Sequence, residues 1–255
     1  MVNSEVISEF ISLFPEAKSQ EIMAGHTSWR IGGPAVLFYS AASIEAFLHA
    51  VAFAQEHHLP WAVMGGGTNL LVSDEGFDGL VIQSAMRKIS ITDDLIQVEA
   101  GALTALVARK ALEAGFGGFE WAASIPGTIG GAIYGNAGCF GAEMKDIIHS
   151  VDAFRLSTGS RERLSNLDCQ FGYRDSLFKH ESFIILGCEL SLQKGSDPVA
   201  SQASLAHILG DRKERQPLGQ SSAGSVFKNF EFSDERDLEI LKRHAEIPAP
   251  FIVQK

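Results

Sequence analysis

Val6, Phe10, Ile11 and Phe14 fall on one stripe at helical spacing, and Pro15 closes it, so the first twenty residues predict a short helix. After the turn-rich run Thr27-Ser28-Trp29-Arg30-Ile31-Gly32-Gly33-Pro34-Ala35, residues 35–40 predict a strand. Ser43 is placed to cap a helix over residues 44–57, with Phe47, Leu48, Val51 and Ala54 spaced for a buried face. Residues 61–64 predict a short strand that feeds a glycine-rich loop, the usual arrangement for a phosphate cradle. Strands are predicted at 79–83 and 95–99, then a helix over 103–114 with Leu103, Leu106, Val107 and Ala111 inward and Gly115 at its end. Residues 150–156 and 161–164 flank Thr158-Gly159 as a hairpin, and 183–192 predict a further strand. Lys194-Gly195-Ser196-Asp197-Pro198 reads as a linker, followed by a helix over 199–212 and a loop over 215–220. Strands mix with helices without a strict βαβ repeat. The expected class is α+β, with two adjoining cofactor-binding parts (residues 1–84 and 85–195) and a third part over 196–255.

Composition narrows the function. Of 255 residues, 45% are hydrophobic and 20% charged, as in a soluble globular protein. The net charge of −10 argues against nucleic acid as a partner. Glu5, Glu9 and Glu16 interrupt the N-terminal apolar residues and no basic residue precedes Lys18, so no signal peptide is read there. No apolar run suggests a membrane span. Cys139, Cys169 and Cys188 are odd in number and lack CxxC spacing, which fits a reducing compartment and a cytoplasmic protein. No HxH, HExxH or His/Cys cluster appears, so no metal is expected. The acidic residues Glu231, Asp234, Glu235, Asp237 and Glu239 read as a solvated helix face.

Three glycine-rich blocks carry the candidate chemistry. The first, Gly65-Gly66-Gly67-Thr68-Asn69, is neither a Walker A loop nor a GxGxxG helix start. A tight turn between strands is at least as common, but Thr68 and Asn69 add hydroxyl and amide partners for phosphate or ribose. The second is more specific: Ser124-Ile125-Pro126-Gly127-Thr128, Gly130-Gly131-Ala132 and Gly135-Asn136-Ala137-Gly138 concentrate small residues beyond what a close-packed helix start needs. Two such loops suggest a long phosphate-bearing cofactor, held by Gly65, Gly66, Gly67, Thr68, Asn69, Ser124, Gly127, Thr128, Gly130, Gly131 and Asn136. In Phe171-Gly172-Tyr173-Arg174-Asp175-Ser176, Arg174 suits a bidentate carboxylate, although a structural ion pair is the commoner fate of a lone arginine. In the third block, Ala223-Gly224-Ser225-Val226-Phe227-Lys228-Asn229, no histidine or G-x-S-x-G elbow supports a nucleophile. A turn residue is the bland reading of Ser225, and proton donation the sharper one.

Taken in order, these blocks resemble the UDP-N-acetylenolpyruvoylglucosamine reductase family, over residues 26–229. The resemblance implies a two-part FAD-binding fold of the vanillyl-alcohol-oxidase type, followed by an α+β substrate domain. It implies that NADPH reduces FAD, and that hydride then passes to the enolpyruvyl β-carbon of a UDP-sugar. By resemblance, Ser225 matches the proton donor and Arg174 the arginine that steadies the substrate carboxylate, both catalytic. Tyr173, Arg215, Lys228 and Asn229 are placed at the substrate. Non-covalent FAD is expected, with NADPH as donor, in a monomer without nucleic-acid or membrane partners. His26 and Phe230 stand where the family has asparagine and proline, and no tyrosine follows Arg174, which places the chain in the branch without a clamping tyrosine. The family's C-terminal catalytic glutamate has no match, because Glu239 and Glu246 lie too early; the sequence reads as truncated, its substrate domain incomplete. Two alternatives stay open: another flavin oxidase or dehydrogenase of the same fold, and a truncated, non-catalytic FAD- or nucleotide-binding protein.

Overall fold

A computed structural model describes residues 2–92, 95–215 and 219–228. Two compact units divide the chain, Met1–Gly224 and Ser225–Lys255.

The first unit opens with helix α1 (Ser4–Leu13), capped by the Asn3 side chain, which accepts from the Glu5 N–H at 3.0 Å. Its buried Phe10 packs with Phe14, Tyr39 and Phe53, ring centroids 4.5–6.1 Å apart. Strand β1 (Lys18–Ile22) pairs antiparallel with β2 (Pro34–Ala41). The sequence pattern misses β1 because four of its five residues are exposed, so no alternation marks it. Helix α2 (Ile44–Glu56) starts where expected, with Ser43 Oγ accepting from the Ala46 N–H at 3.1 Å. Strands β3 (Trp61–Met64) and β4 (Phe77–Ser84) complete a four-stranded sheet of order β1-β2-β4-β3, in which β2 and β3 both run parallel to β4. Phe47, Ala50, Val51 and Ala54 of α2 share one core with Leu37, Leu80 and Ile82 of the sheet.

A second sheet follows. Strands β5 (Ile89–Ile91) and β6 (Ile96–Glu99) lead into α3 (Thr104–Glu113) and the two-residue β7 (Phe116–Gly117). Helix α4 (Ile129–Tyr134) is followed by a small hairpin, β8 (Gly138–Cys139) and β9 (Ala142–Glu143). Then come β10 (Ile148–Arg155), β11 (Ser160–Ser165) and β12 (Phe183–Leu190), giving an antiparallel sheet of order β11-β10-β12-β6-β5. Ile96, Val98, Val151 and Cys188 from its strands share a core with Val107 and Ala111 of α3 and Ile129 and Ile133 of α4. The first core also takes in Ala100, Ile184 and Leu186 from this second region.

The stretch read as a linker is pinned instead. Gln193–Lys194 forms β13 and pairs with β7, and the Gly195 N–H donates to the Gly115 carbonyl at 3.0 Å. Helix α5 (Pro198–Arg215) follows at once, and Ser201 Oγ donates to Glu120 Oε1 at 2.9 Å. Glycine and proline signal a change of direction there, and the partners that hold it lie about eighty residues earlier, where local composition cannot show them.

Candidate functional site

Both cofactor loops expected from the sequence belong to the first unit, and the structure sets them against each other. The first leaves β3 at the end of the parallel strands. Gly67 takes φ +63°, and a Cβ there would overlap the His26 carbonyl. The Ser28 N–H donates to the Gly67 carbonyl at 3.0 Å, and the Gly33 N–H to the Ser73 carbonyl at 2.8 Å, so the Thr27–Ala35 motif braces this loop through the backbone. Gln83 Nε2 donates to the Gly65 carbonyl at 3.3 Å, and Gln83 Oε1 accepts from Ser40 Oγ at 3.1 Å.

The second loop meets the first face to face. A Cβ on Gly66 would stand 3.2 Å from Gly127 Cα, and one on Gly127, at φ +106°, 2.6 Å from the Thr68 hydroxyl. The Thr68 hydroxyl donates to the Pro126 carbonyl at 3.4 Å. A Cβ on Gly65 would overlap the hydroxyl of Thr128. The facing loops thus leave no room for side chains at Gly65 and Gly127 and a tight fit at Gly66, and present backbone at the surface where Gly66 and Gly131 are exposed.

The polar residues divide into spent and unspent groups. The N–H groups of Ile129 and Gly130, at the start of α4, donate to the carbonyls of Ala102 and Ala100 at 2.9 and 2.8 Å, so Gly130 serves close packing against Ala100. Ser124 is buried and its hydroxyl donates to the Trp121 carbonyl at 3.1 Å. Asn136 is 0% exposed, and its amide is fully engaged by Glu143, Gly172 and Lys145. Its Nδ2 and Oδ1 thus both have partners within the protein. The side chains of Asn69 and Thr128 have no hydrogen-bond partner among the described residues, and Asn69 is exposed. Backbone that a Cβ would obstruct, with unspent hydroxyl and amide groups beside it, suits a phosphate-bearing group such as FAD.

The turn carrying Arg174 is fastened to the second loop, which no local pattern could reveal. Arg174 sits at φ +53° and donates from its guanidinium to the Gly138 carbonyl at 2.7 Å and the Asn136 carbonyl at 3.4 Å. Ser176 Oγ donates to the Tyr134 carbonyl at 2.8 Å, and Lys179 Nζ to the Arg174 carbonyl at 2.6 Å. The Arg174 guanidinium lies 5.5 Å from the Tyr173 ring centroid. Two of its five N–H groups go to carbonyls, so others can meet an anion. Cys139 is placed here too: burial raises its thiol pKa, against the bond with Ser124 and the charges of Arg174 and Arg212.

Ser225 and Lys228 are exposed and belong to the second unit. Arg215 ends α5, and Asn229, Phe230, Glu239 and Glu246 lie outside the described residues. Among the described residues no helix is long and apolar enough to cross a membrane.

The FAD binding domain family matches residues 34–165, which span both glycine loops. The UDP-N-acetylenolpyruvoylglucosamine reductase of Caldanaerobacter subterraneus subsp. tengcongensis is 38% identical over 209 residues, covering 82% of this chain and 68% of that protein. The enzyme of the same name from Clostridioides difficile is 35% identical over 234 residues, covering 89% of this chain and 76% of that protein. The crystal structure of UDP-N-acetylenolpyruvylglucosamine reductase (MurB) from Thermus caldophilus superposes with a TM-score of 0.72 at 28% identity, covering 88% of this chain and 79% of that one. An alkyldihydroxyacetonephosphate synthase, 18% identical with a TM-score of 0.54, covers 76% of this chain and 41% of that one and shares the fold alone.

Proposed function

The chain belongs to the UDP-N-acetylenolpyruvoylglucosamine reductase family, and on that premise we propose that it reduces UDP-N-acetylglucosamine enolpyruvate to UDP-N-acetylmuramate for peptidoglycan synthesis. It has the two-part FAD-binding fold of the vanillyl-alcohol-oxidase type. We further take NADPH as the hydride donor, FAD as non-covalently held, and the protein as a cytoplasmic monomer. We take the functional division as FAD-binding parts over 1–84 and 85–195 and a substrate part from 196; the change of sheet after Ser84 supports the first of these boundaries. One observation carries the reading. The arginine suited to an anionic substrate is seated on the loop that faces the other cofactor loop, so cofactor and substrate groups share one frame.

FAD, when bound, accepts hydride from the nicotinamide and delivers it to carbon. The chain's own residues do the rest. Gly65, Gly66 and Gly127 bring backbone close to the phosphates, with Thr128 and Asn69 offering side-chain donors. Hydride arriving at Cβ of the enolpyruvyl group leaves negative charge on Cα, which the adjacent carboxylate spreads. A fixed guanidinium at Arg174 stabilises that charge as it develops. Ser225 then gives its proton to Cα, a role a weak acid can fill only where Cα has become strongly basic. Tyr173, Arg215, Lys228 and Asn229 complete the substrate contacts.

Stopped-flow measurement of the two half-reactions tests this. Arg174→Lys keeps the charge but loses the planar fork; flavin reduction by NADPH should hold, while reoxidation by the enolpyruvyl sugar slows about tenfold or more. Equal damage to both halves would make Arg174 structural. Ser225→Ala should bind FAD and substrate yet lose about 10²–10⁴-fold in the second half-reaction. Reoxidation at the wild-type rate would reduce Ser225 to a turn residue.

A further inference from the structure

Asn136 and Arg174 are joined twice, and the two links run in opposite directions. The Asn136 carbonyl, with that of Gly138, accepts from the Arg174 guanidinium at 3.4 and 2.7 Å. The Asn136 side chain in turn donates through Nδ2 to the Gly172 carbonyl at 2.8 Å, two residues before Arg174. One residue therefore holds both the seat of the guanidinium and the start of the turn that delivers it. Asn136 adopts φ +39°, which sets where its carbonyl points; asparagine tolerates this region better than most residues, and only a side chain with its donors could also grip Gly172.

The grip is itself anchored. Nδ2 also donates to Glu143 Oε2 at 2.7 Å, Oδ1 accepts from the Lys145 N–H at 3.0 Å, and Glu143 pairs with Lys145 Nζ at 3.0 Å. Both donors and the acceptor of the amide are used, in a residue with no exposed surface. A buried polar network in which every member is satisfied defines a single geometry.

We propose that Asn136, anchored by Glu143, is a positioning residue that fixes the Arg174 guanidinium for the substrate carboxylate; this rests on the role given to Arg174 above. Asn136→Asp keeps the shape but turns a donor into an oxygen facing the Glu143 carboxylate and the Gly172 carbonyl. In the FAD-loaded protein, flavin reduction by NADPH should stay within about twofold, while reoxidation by the enolpyruvyl sugar falls about tenfold. Substrate affinity, read from perturbation of the flavin absorbance, should weaken, and the FAD dissociation constant should not move. Adding Asn136→Asp to Arg174→Lys should cost less than about twofold more, because both act through one group. Glu143→Gln in the Asn136→Asp background supplies a donor to the new carboxylate and should recover part of the rate. If Asn136→Asp does not fold, Glu143→Ala removes one anchor from a partly exposed position and should reproduce the selective slowing in weaker form.

Additive losses in the double variant, or both half-reactions and the FAD dissociation constant worsening together, would overturn the proposal. If Arg174→Lys slows reoxidation while neither Asn136→Asp nor Glu143→Ala does, the positioning role alone fails. A wild-type rate for Arg174→Lys would remove the role of Arg174, and this inference with it.

Discussion

The two glycine loops look alike in sequence and differ in what chiefly braces them, although Gln83 also reaches the first and main-chain bonds from Ile129 and Gly130 also hold the second. The loop at Gly65–Asn69 is braced by main chain: the Ser28 N–H holds the Gly67 carbonyl, and the Gly67 Cα lies against the His26 carbonyl. The block that runs from Ser124 to Gly138 is braced by side chains arriving from elsewhere, namely Arg174 and Ser176, and by Asn136, which grips Gly172. Main-chain bracing is blind to side-chain identity except that it excludes Cβ atoms. Side-chain bracing fails when atoms are removed. Deleting a polar group should therefore damage the second region most, whereas an added methyl group meets backbone in both, at Gly67 in the first and at Gly138 in the second.

Gly67→Ala presses the contrast hardest. The added Cβ would overlap the His26 carbonyl, and φ +63° is unfavourable for alanine. A loss of about 3 kcal/mol in urea unfolding is expected, at the upper end for a strained residue, together with impaired FAD uptake. A loss below about 1 kcal/mol would show that the loop yields and that its glycine is a convenience.

Ser176→Ala examines the other side. The hydroxyl is buried and its bond to the Tyr134 carbonyl ties the Arg174 turn to α4. Its removal leaves that carbonyl unsatisfied and should cost about 1–3 kcal/mol. No change in stability would mean that water replaces it and that the brace is weaker than its geometry.

Gly131→Ala should do least. Its Cβ would meet only the Thr128 hydroxyl, at 3.7 Å, an ordinary contact. Inside α4, alanine should leave stability unchanged or raise it by up to about 1 kcal/mol. FAD titration then sharpens the comparison: unchanged stability with weakened binding would identify Gly131 as a place where the cofactor approaches backbone, whereas unchanged binding would remove it from the site.

Cysteine chemistry separates other regions in the same way. Burial pushes the Cys169 thiol up to about 12 and Cys188 higher still, whereas Cys139, beside Ser124, is only half-buried. The first two behave as core residues of the second sheet.

The sequence by itself determined what depends on short-range order. Helical stripes marked α1 and α2, Ser43 marked a start, and apolar runs marked β2, β3, β4 and β12, because burial of one face leaves a period in the chain; α3 also forms, but of the four residues expected inward Leu103 and Leu106 are exposed and only Val107 and Ala111 are buried. It also placed glycines where backbone must come close, since no other residue lacks a Cβ. Tertiary structure alone decided the rest. β1 exists because β2 offers an edge, although its own residues are mostly exposed. Lys194 is strand because Phe116 pairs with it. The Asn136 side chain bonds Gly172, which lies 36 residues further along the chain and beside it in space. Hydrogen bonds between distant positions leave no period in a single sequence, so only the folded chain shows which polar groups are spent and which remain for chemistry.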